Sequence, residues 1–506
     1  MLTTILSATT VGLDGVCIKV EVDVASRGLP TFNIVGLPSK AIDESKERVK
    51  TAIHNSGYDM PESRIVVNLA PADIPKEGSL FDLPIAVGIL ASSKIIDNTF
   101  VENSLFVGEL SLDGKIQPVP GILPITILAR NQKVKNIFVP TKNAQEAAMV
   151  LGVTVYPVEK LTDLILHINQ VKSIEPLSHI SVEKLVPDII YDFDFSTVYG
   201  QDYAKRALLI AAAGFHNVHL KGPPGAGKTL LARAFPSILP SMDTEEIIEV
   251  SKIYSIAGIT TSAGVCLTRP FRAPHHTISR AALIGGGTKL TPGEISLAHR
   301  GALFLDEFAE FPRHVIEALR QPLEDGIISV ARVSGSIIFP SRFLLLAASN
   351  PCPCGYLGHP KRACHCSYAQ ISLYKKKVSG PILDRIDIHV TVDPVDEEAL
   401  TNAANAETSE SIRIKVHEAR ARQEERFSEA KIRTNSEMTA SQIREFCMID
   451  PDAQALLKQA ISRLSLSARS YFKIIKISQT IADLEKSNSV SVAHVSEALQ
   501  YRAKEE

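Results

Sequence analysis

Gly222-Pro-Pro-Gly-Ala-Gly-Lys-Thr229 is the segment of this chain whose residue types are most specialised for chemistry. Glycines at this spacing let backbone N–H groups converge on phosphate oxygens, and a helix N-terminus behind them adds favourable potential. Lys228 would hold the β- and γ-phosphates, and the Thr229 hydroxyl would hold Mg²⁺. The apolar Val218–Leu220 before the loop and the helical Leu230–Phe235 after it supply the strand–loop–helix context that a phosphate loop needs. Gly222, Pro223, Pro224, Gly225, Ala226, Gly227, Lys228, Thr229 and Leu230 are therefore assigned to nucleotide binding.

A second element complements the first. Ala302-Leu-Phe-Leu runs into Asp306-Glu307, placing two carboxylates at the carboxyl end of a buried strand, where ligands bind in open α/β sheets. Asp306 would position Mg²⁺, and Glu307 would polarise the attacking water as general base. A further apolar run, Phe343–Ser349, ends in Asn350, a polar residue suited to hold that water.

The elements that must position these residues follow from the pattern. The length of 506 residues predicts several domains. Residues 1–170 alternate β-rich runs (Val16–Val24, Ile65–Leu69, Leu105–Leu110, Asn136–Val139) with helical patterns, including a helix over Ser39–Asn55. Residues 171–190 read as a linker. From 191 to 395, apolar runs of strand length alternate with glycine turns and helices, as buried parallel strands require. From 396 to 506 the pattern is helical, with Asp450-Pro451 and Ser491 as helix starts.

The net charge of −2 excludes a globally basic nucleic-acid coat, so any nucleic acid must meet a local patch. The first twenty residues lack a basic n-region and a cleavage site, and Leu83–Ala91 and Gly121–Ala129 fall short of the about 20 residues of a membrane span. The seven cysteines do not form a secreted disulfide pattern. A cytoplasmic location with no membrane partner is the expectation.

Long segments resemble the magnesium-chelatase-like AAA+ family over essentially the whole chain. They are Asp194-Phe-Ser-Thr-Val-Tyr-Gly-Gln201, the phosphate loop, Arg269-Pro-Phe-Arg-Ala-Pro-His-His276, Gly293–Gly301, Asn350-Pro-Cys-Pro-Cys-Gly355, Gly380–Asp387 and Leu466-Ser-Ala-Arg469. The resemblance implies an α/β AAA+ P-loop NTPase core with a C-terminal helical lid. It implies that Val198, Gly200 and Gln201 lie beside the adenine, that Arg385 is an arginine finger for a neighbouring subunit, and that Arg469 is the sensor-2 arginine. It further implies a homo-hexamer that encircles single- and double-stranded DNA. Such a motor would drive branch migration or strand separation while incoming DNA is integrated in natural transformation, with recombination proteins as further partners. The alternative within the family is a chelatase-type motor that remodels a protein partner.

Two segments suit DNA. The stretch 251–300 carries Arg269, Arg272, His275, His276, Arg280 and Lys289. Ile327–Ile338 reads as two β-branched strands with a short polar tip and resembles the hairpin of ring helicases of the MCM group, with Arg332 at the tip. Basic loops turned into a pore would track phosphates without reading sequence. The helix Ser411–Phe427 carries Arg413, Lys415, Arg420, Arg422 and Arg426, which form either a solvated lid face or a second DNA contact; Lys375–Lys377 likewise face DNA or solvent.

Cys352, Cys354, Cys364 and Cys366 form two C-x-C pairs nine residues apart, with His359 and His365 nearby. They are either four tetrahedral ligands of a structural Zn²⁺ or reduced thiols in a loop. Finally, residues 65–130 resemble the Lon proteolytic (S5-like, α+β) domain. The serine motif is replaced by Gly78–Asp82, and the lysine position holds Leu123. Proteolysis requires a serine activated by a lysine amine, so a non-proteolytic oligomerisation or docking module is expected.

Overall fold

The computed structural model describes residues 2–503 except 27–28, 37–39, 75, 77, 182–184, 186–190, 260–263, 288–289, 333–334 and 395–406. The chain forms two compact units, Met1–Pro187 with Asp243–Leu267, and Asp188–Met242 with Thr268–Glu506. The helix Thr244–Ala257, which in sequence lies inside the region 191–395, thus groups with the first unit.

The first unit is built on a seven-stranded mixed sheet. Leu2–Val11 pairs antiparallel with Asp14–Val24 around a Gly12 turn, and alternate residues such as Ile5, Ile18, Val20 and Val22 are buried. Asp82–Ser92 is apolar on all sides after its first residue and is buried along its whole length, as an all-round apolar helix must be. Its one carboxylate, Asp82, accepts a fork of hydrogen bonds from Arg48 at 2.7 and 3.1 Å, which offsets the cost of burying a charge. Ser79 donates to Glu109, whereas the Lys76 ammonium donates to the Pro71 carbonyl. The serine and lysine therefore have separate partners, and Leu123 is buried. Of the stretch 171–190, the described residues are tied to this unit: the Leu177 N–H donates to the Val155 carbonyl and the Ile180 N–H to the Ala148 carbonyl.

Glu146 lies buried in the first unit and accepts a 2.7 Å hydrogen bond from Asn143. Burial pushes its carboxyl up from 4.5 to about 7. The folded state then keeps a proton that the unfolded chain releases near 4.5, so stability falls as pH rises through this window and stays reduced above it. Glu146→Gln should remove that loss, worth up to about 3 kcal/mol above neutrality. Thermal unfolding from about pH 5 to about pH 8 is expected to show the variant gaining on the wild type as pH rises.

The second unit carries a five-stranded sheet in the order Phe271–Arg272, Ala302–Leu305, Leu344–Ser349, Val218–Lys221, Ile388–Thr391, with every adjacent pair parallel. Ala302–Leu305 and Leu344–Ser349 are fully buried, which explains their unbroken apolar runs. Helices Ser409–Arg426, Ala440–Phe446, Pro451–Leu464, Ala468–Leu484 and Val492–Gln500 follow, and their apolar faces join the core of the sheet. Pro451 opens its helix behind Asp450, and Ser491 occupies the start of the last one. The basic residues of Ser409–Arg426 are mostly internal scaffolding. Arg426 binds the buried Asp483, Arg420 donates to the Ala212 carbonyl, and Arg422 to the Ser487 carbonyl. Among the described residues no helix is long and apolar enough to cross a membrane.

Candidate active site

The phosphate loop joins the strand Val218–Lys221 to the helix Lys228–Ala234 at the carboxyl edge of the parallel sheet. Gly225 and Gly227 have φ of 77° and 89°, a region in which only glycine is unstrained. Gly222 has a different reason to be glycine: a Cβ there would lie 2.1 Å from the Val392 carbonyl oxygen. Lys228 is held across the loop, donating to the carbonyls of Gly222 (2.7 Å) and Pro223 (2.8 Å) and to Asn350 Oδ1 (3.2 Å). Burial pushes its ammonium below the usual lysine value, with Asp306 acting in the opposite direction. A polyphosphate would replace the two carbonyls with charged acceptors.

Thr229 Oγ1 donates to Asp306 Oδ2 at 2.8 Å, so the two groups expected to share Mg²⁺ already meet. A hydroxyl and a carboxylate at this separation suit a hard cation that binds oxygen and keeps several waters. Asp306 Oδ1 also accepts the Glu307 N–H at 2.9 Å. Glu307 sits at φ 52°, a conformation uncommon outside glycine, and this turns its exposed carboxylate away from the strand. The two adjacent carboxylates therefore differ in setting: Asp306 is bonded to Thr229, whereas Glu307 is exposed.

Asn350 follows Leu344–Ser349, the strand between the phosphate loop and the acid pair, and its bond to Lys228 ties the two together. Val198 is buried, Gly200 and Gln201 both have positive φ, and Gln201 Nε2 donates to the Ala226 carbonyl at 3.1 Å. The segment expected beside the adenine thus rests on the phosphate loop. Lys228→Ala should weaken ATP affinity at least about 100-fold, since it removes a charge-assisted contact to the phosphates. Titration with a fluorescent ATP analogue checks this.

Arg385 and Arg469 lie elsewhere in the same unit. Arg385 donates to Glu324 and, at 2.7 Å, to the Pro381 carbonyl, while Arg469 donates to the other Glu324 oxygen at 2.7 Å. They line a cavity of about 680 Å³ with Lys473 and Lys476. Glu324 was not visible as a functional residue in the sequence, because it belongs to no motif and its partners lie 61 and 145 residues away.

The segments expected to meet DNA divide. Arg269 is engaged by three backbone carbonyls, those of Pro240 (2.6 Å), Arg300 (2.7 Å) and Ser241 (3.1 Å). Arg272 forks onto Glu294 at 2.6 and 2.7 Å. Both guanidiniums are engaged by partners within the chain in this arrangement. His276 approaches Glu307 at 3.3 Å, beside the exposed His275, whose ring centre is 4.0 Å away. That places His276 beside the second acid of the pair. Arg280 is exposed at the start of the short helix Arg280–Ile284, and Lys289 lies outside the described residues. Ile327–Arg332 and Gly335–Pro340 form an antiparallel hairpin whose last pair is Arg332 with Gly335. Lys377 binds Glu310 at 2.9 Å. The four clustered cysteines bring their sulfurs within 4.8 Å of one another.

A parallel sheet in this order, with a phosphate loop and an acid pair at its carboxyl edge and a helical lid behind, defines an AAA+ P-loop ATPase core. Residues 194–400 match the family "Magnesium chelatase, subunit ChlI", residues 20–143 "Subunit ChlI of Mg-chelatase", and residues 406–502 "Magnesium chelatase, subunit ChlI C-terminal". The chain is 41% identical to Competence protein ComM of Haemophilus influenzae, over 99% of this chain and 97% of that protein. It is 37% identical to YifB of Escherichia coli, over 97% of this chain and 95% of that protein. Similarity to the magnesium-chelatase 38 kDa subunit of Rhodobacter capsulatus is 29% over 31% of this chain and 50% of that protein. The chain belongs to the magnesium-chelatase-like AAA+ family, in the group that contains Competence protein ComM and YifB. Membership implies ATP and Mg²⁺ as the ligands of the site described above.

Proposed function

We propose that this protein is an ATP-driven ring motor, a homo-hexamer acting on DNA, in which each nucleotide site is completed by Arg385 of the adjacent subunit, with Arg469 as the sensor-2 arginine of the helical lid. The observation that carries this reading is the position of Arg385 relative to its own phosphate loop. The Arg385 carbonyl accepts a 3.1 Å hydrogen bond from Asn217, the residue before the strand Val218–Lys221, whereas the loop begins at Gly222, the residue after it. Asn217 and Gly222, five residues apart along the extended chain, are separated by roughly 16 Å at the usual rise per residue. With its guanidinium further tied to Glu324 and Pro381, Arg385 faces away from its own phosphates. An arginine at the opposite edge of the sheet serves a neighbour's nucleotide, and a closed ring gives every subunit such a neighbour.

Within a site, Lys228 holds the phosphates, Thr229 and Asp306 hold Mg²⁺, Glu307 polarises the water, and Asn350 orients it. The neighbour's Arg385 neutralises charge developing on the transferred phosphoryl group. Mg²⁺, when bound by Thr229 and Asp306, would offset negative charge on the phosphates. The motor acts in branch migration or strand separation during integration of incoming DNA, a reading that goes with the chain's similarity to a protein named Competence protein ComM. Recombination proteins are its further partners. The hairpin ending at Arg332 tracks the phosphate backbone, and a structural Zn²⁺ at Cys352, Cys354, Cys364 and Cys366 belongs to the same reading.

The test is ATP hydrolysis with and without forked and Holliday-junction DNA across a salt series. DNA should stimulate turnover, and the stimulation should fade as salt rises. Stimulation only by a protein partner would instead favour the chelatase-type motor. Arg332→Ala is expected to keep basal hydrolysis but lose DNA stimulation, with the salt slope reduced by about one phosphate contact per engaged subunit. Full strand displacement by this variant would count against the hairpin.

A further inference from the structure

We infer that the four-cysteine cluster is a tetrathiolate site for Zn²⁺ that clamps the loop after Asn350 onto the phosphate loop, so that metal loading sets nucleotide affinity. The sulfurs of Cys352, Cys354 and Cys364 lie 3.4, 3.6 and 3.7 Å from one another, and Cys366 completes a group within 4.8 Å. A tetrahedron with Zn–S bonds of about 2.3 Å has S···S edges of about 3.8 Å. A disulfide needs about 2.05 Å, so these separations fit four thiolates around one soft divalent ion and no S–S bond.

Backbone N–H groups are aimed at the sulfurs as well. Those of Tyr356 and His365 reach Cys354, that of Cys366 reaches Cys364, and that of Cys354 reaches Cys366. Such donors stabilise and orient thiolate ligands. His359, close in sequence, is otherwise engaged: its Nδ1 accepts the N–H groups of Lys361 and Arg362 at 3.0 and 3.1 Å. The donor set is closed, which makes the site structural.

What the site braces follows from its neighbours. Cys352 is fully buried, two residues after Asn350, whose side chain bonds Lys228. Gly355, between the two ligand pairs, has φ 82°, and a Cβ there would lie 2.5 Å from Pro224 Cδ. The loop therefore rests directly on Pro224 of the phosphate loop. The metal pins this loop at both ends, and with it the Asn350–Lys228 contact. The clamp function rests on the nucleotide site proposed above, whereas the metal site stands on the cysteines alone.

The experiment measures zinc and nucleotide binding separately on the full-length protein. Elemental analysis should give one zinc per chain, released stoichiometrically by a mercurial reagent and detected with a chromogenic zinc indicator. Cobalt-loaded protein should show the visible and near-ultraviolet bands of tetrahedral cobalt thiolate. Cys364→Ser should lose the metal, while Cys366→His should keep it. Wild-type protein without zinc, whose four thiols all react freely with a thiol reagent in the native state, would overturn the metal site. For the clamp, Gly355→Ala should retain its one zinc per chain, which reports the loop still folded, and melt a few degrees lower because of the positive φ, but bind ATP about tenfold more weakly. Zinc-stripped wild type should show the same loss and recover on zinc addition. Unchanged ATP affinity in both would overturn the clamp. If the zinc-loaded wild type bound no ATP at all, the nucleotide-site reading would fail while the metal result stood.

Discussion

Arg385→Ala is expected to lower kcat for ATP hydrolysis by about 10³–10⁵-fold while leaving ATP affinity within a few-fold of wild type. The affinity should survive because the groups that cradle the phosphates, Lys228 and the loop N–H groups, belong to the other edge of the sheet and to each subunit's own chain. The rate should collapse because charge developing on the γ-phosphoryl oxygens would lose the guanidinium supplied from across the interface. A defect in kcat with binding intact distinguishes a lost transition-state contact from misfolding, and steady-state turnover together with direct ATP titration reads both. The substitution also releases Glu324, which stays paired with Arg469 at 2.7 Å, so the local fold should hold.

Glu307→Gln carries the second large effect. Its hydrolysis rate should fall by about 10²–10⁴-fold, with ATP and Mg²⁺ still bound, because Gln keeps the shape of the side chain but cannot accept the water's proton. Mg²⁺ binding is spared because Thr229 and Asp306 meet independently of Glu307 at 2.8 Å. The variant should accumulate in the ATP-bound state, visible as retention of labelled ATP without conversion to ADP during filtration. Rapid ADP formation would show that another group polarises the water. His276, 3.3 Å from the same carboxylate, is the residue to substitute next in that event.

The nucleotide site was legible in the sequence because its chemistry is local. Phosphate cradling needs glycine, lysine and threonine within one turn, and the acid pair needs a buried strand, so composition and spacing within short windows define both. The helices after residue 396 were legible for the same reason, since their starts carry Asp450-Pro451 and Ser491. Contacts made over long sequence distances were not legible. The engagement of Arg269 by carbonyls 28 to 31 residues away and the fork of Arg272 onto Glu294 are such contacts, which no short window of sequence displays. Likewise, nothing in the spacing of the Thr244–Ala257 helix signals that it packs with the first unit, whose helix Ile122–Asn131 offers its Gly121 N–H to the Ser255 carbonyl. The strand Leu2–Val11 was not legible because its buried alternate positions, Thr3, Ile5, Ser7 and Thr9, are mostly polar and show no apolar alternation.

The central claim is that Arg385 acts on a nucleotide held by a different chain, and mixing two inactive variants tests it most directly. Lys228→Ala cannot hold ATP but still carries Arg385, whereas Arg385→Ala holds ATP but lacks the guanidinium. Co-assembled at equal amounts, they should regain a measurable fraction of wild-type hydrolysis, because some Arg385→Ala sites will face a Lys228→Ala neighbour. Mixed assemblies that stay as inactive as each variant alone, with co-assembly verified by pull-down of one tagged variant with the other, would contradict it.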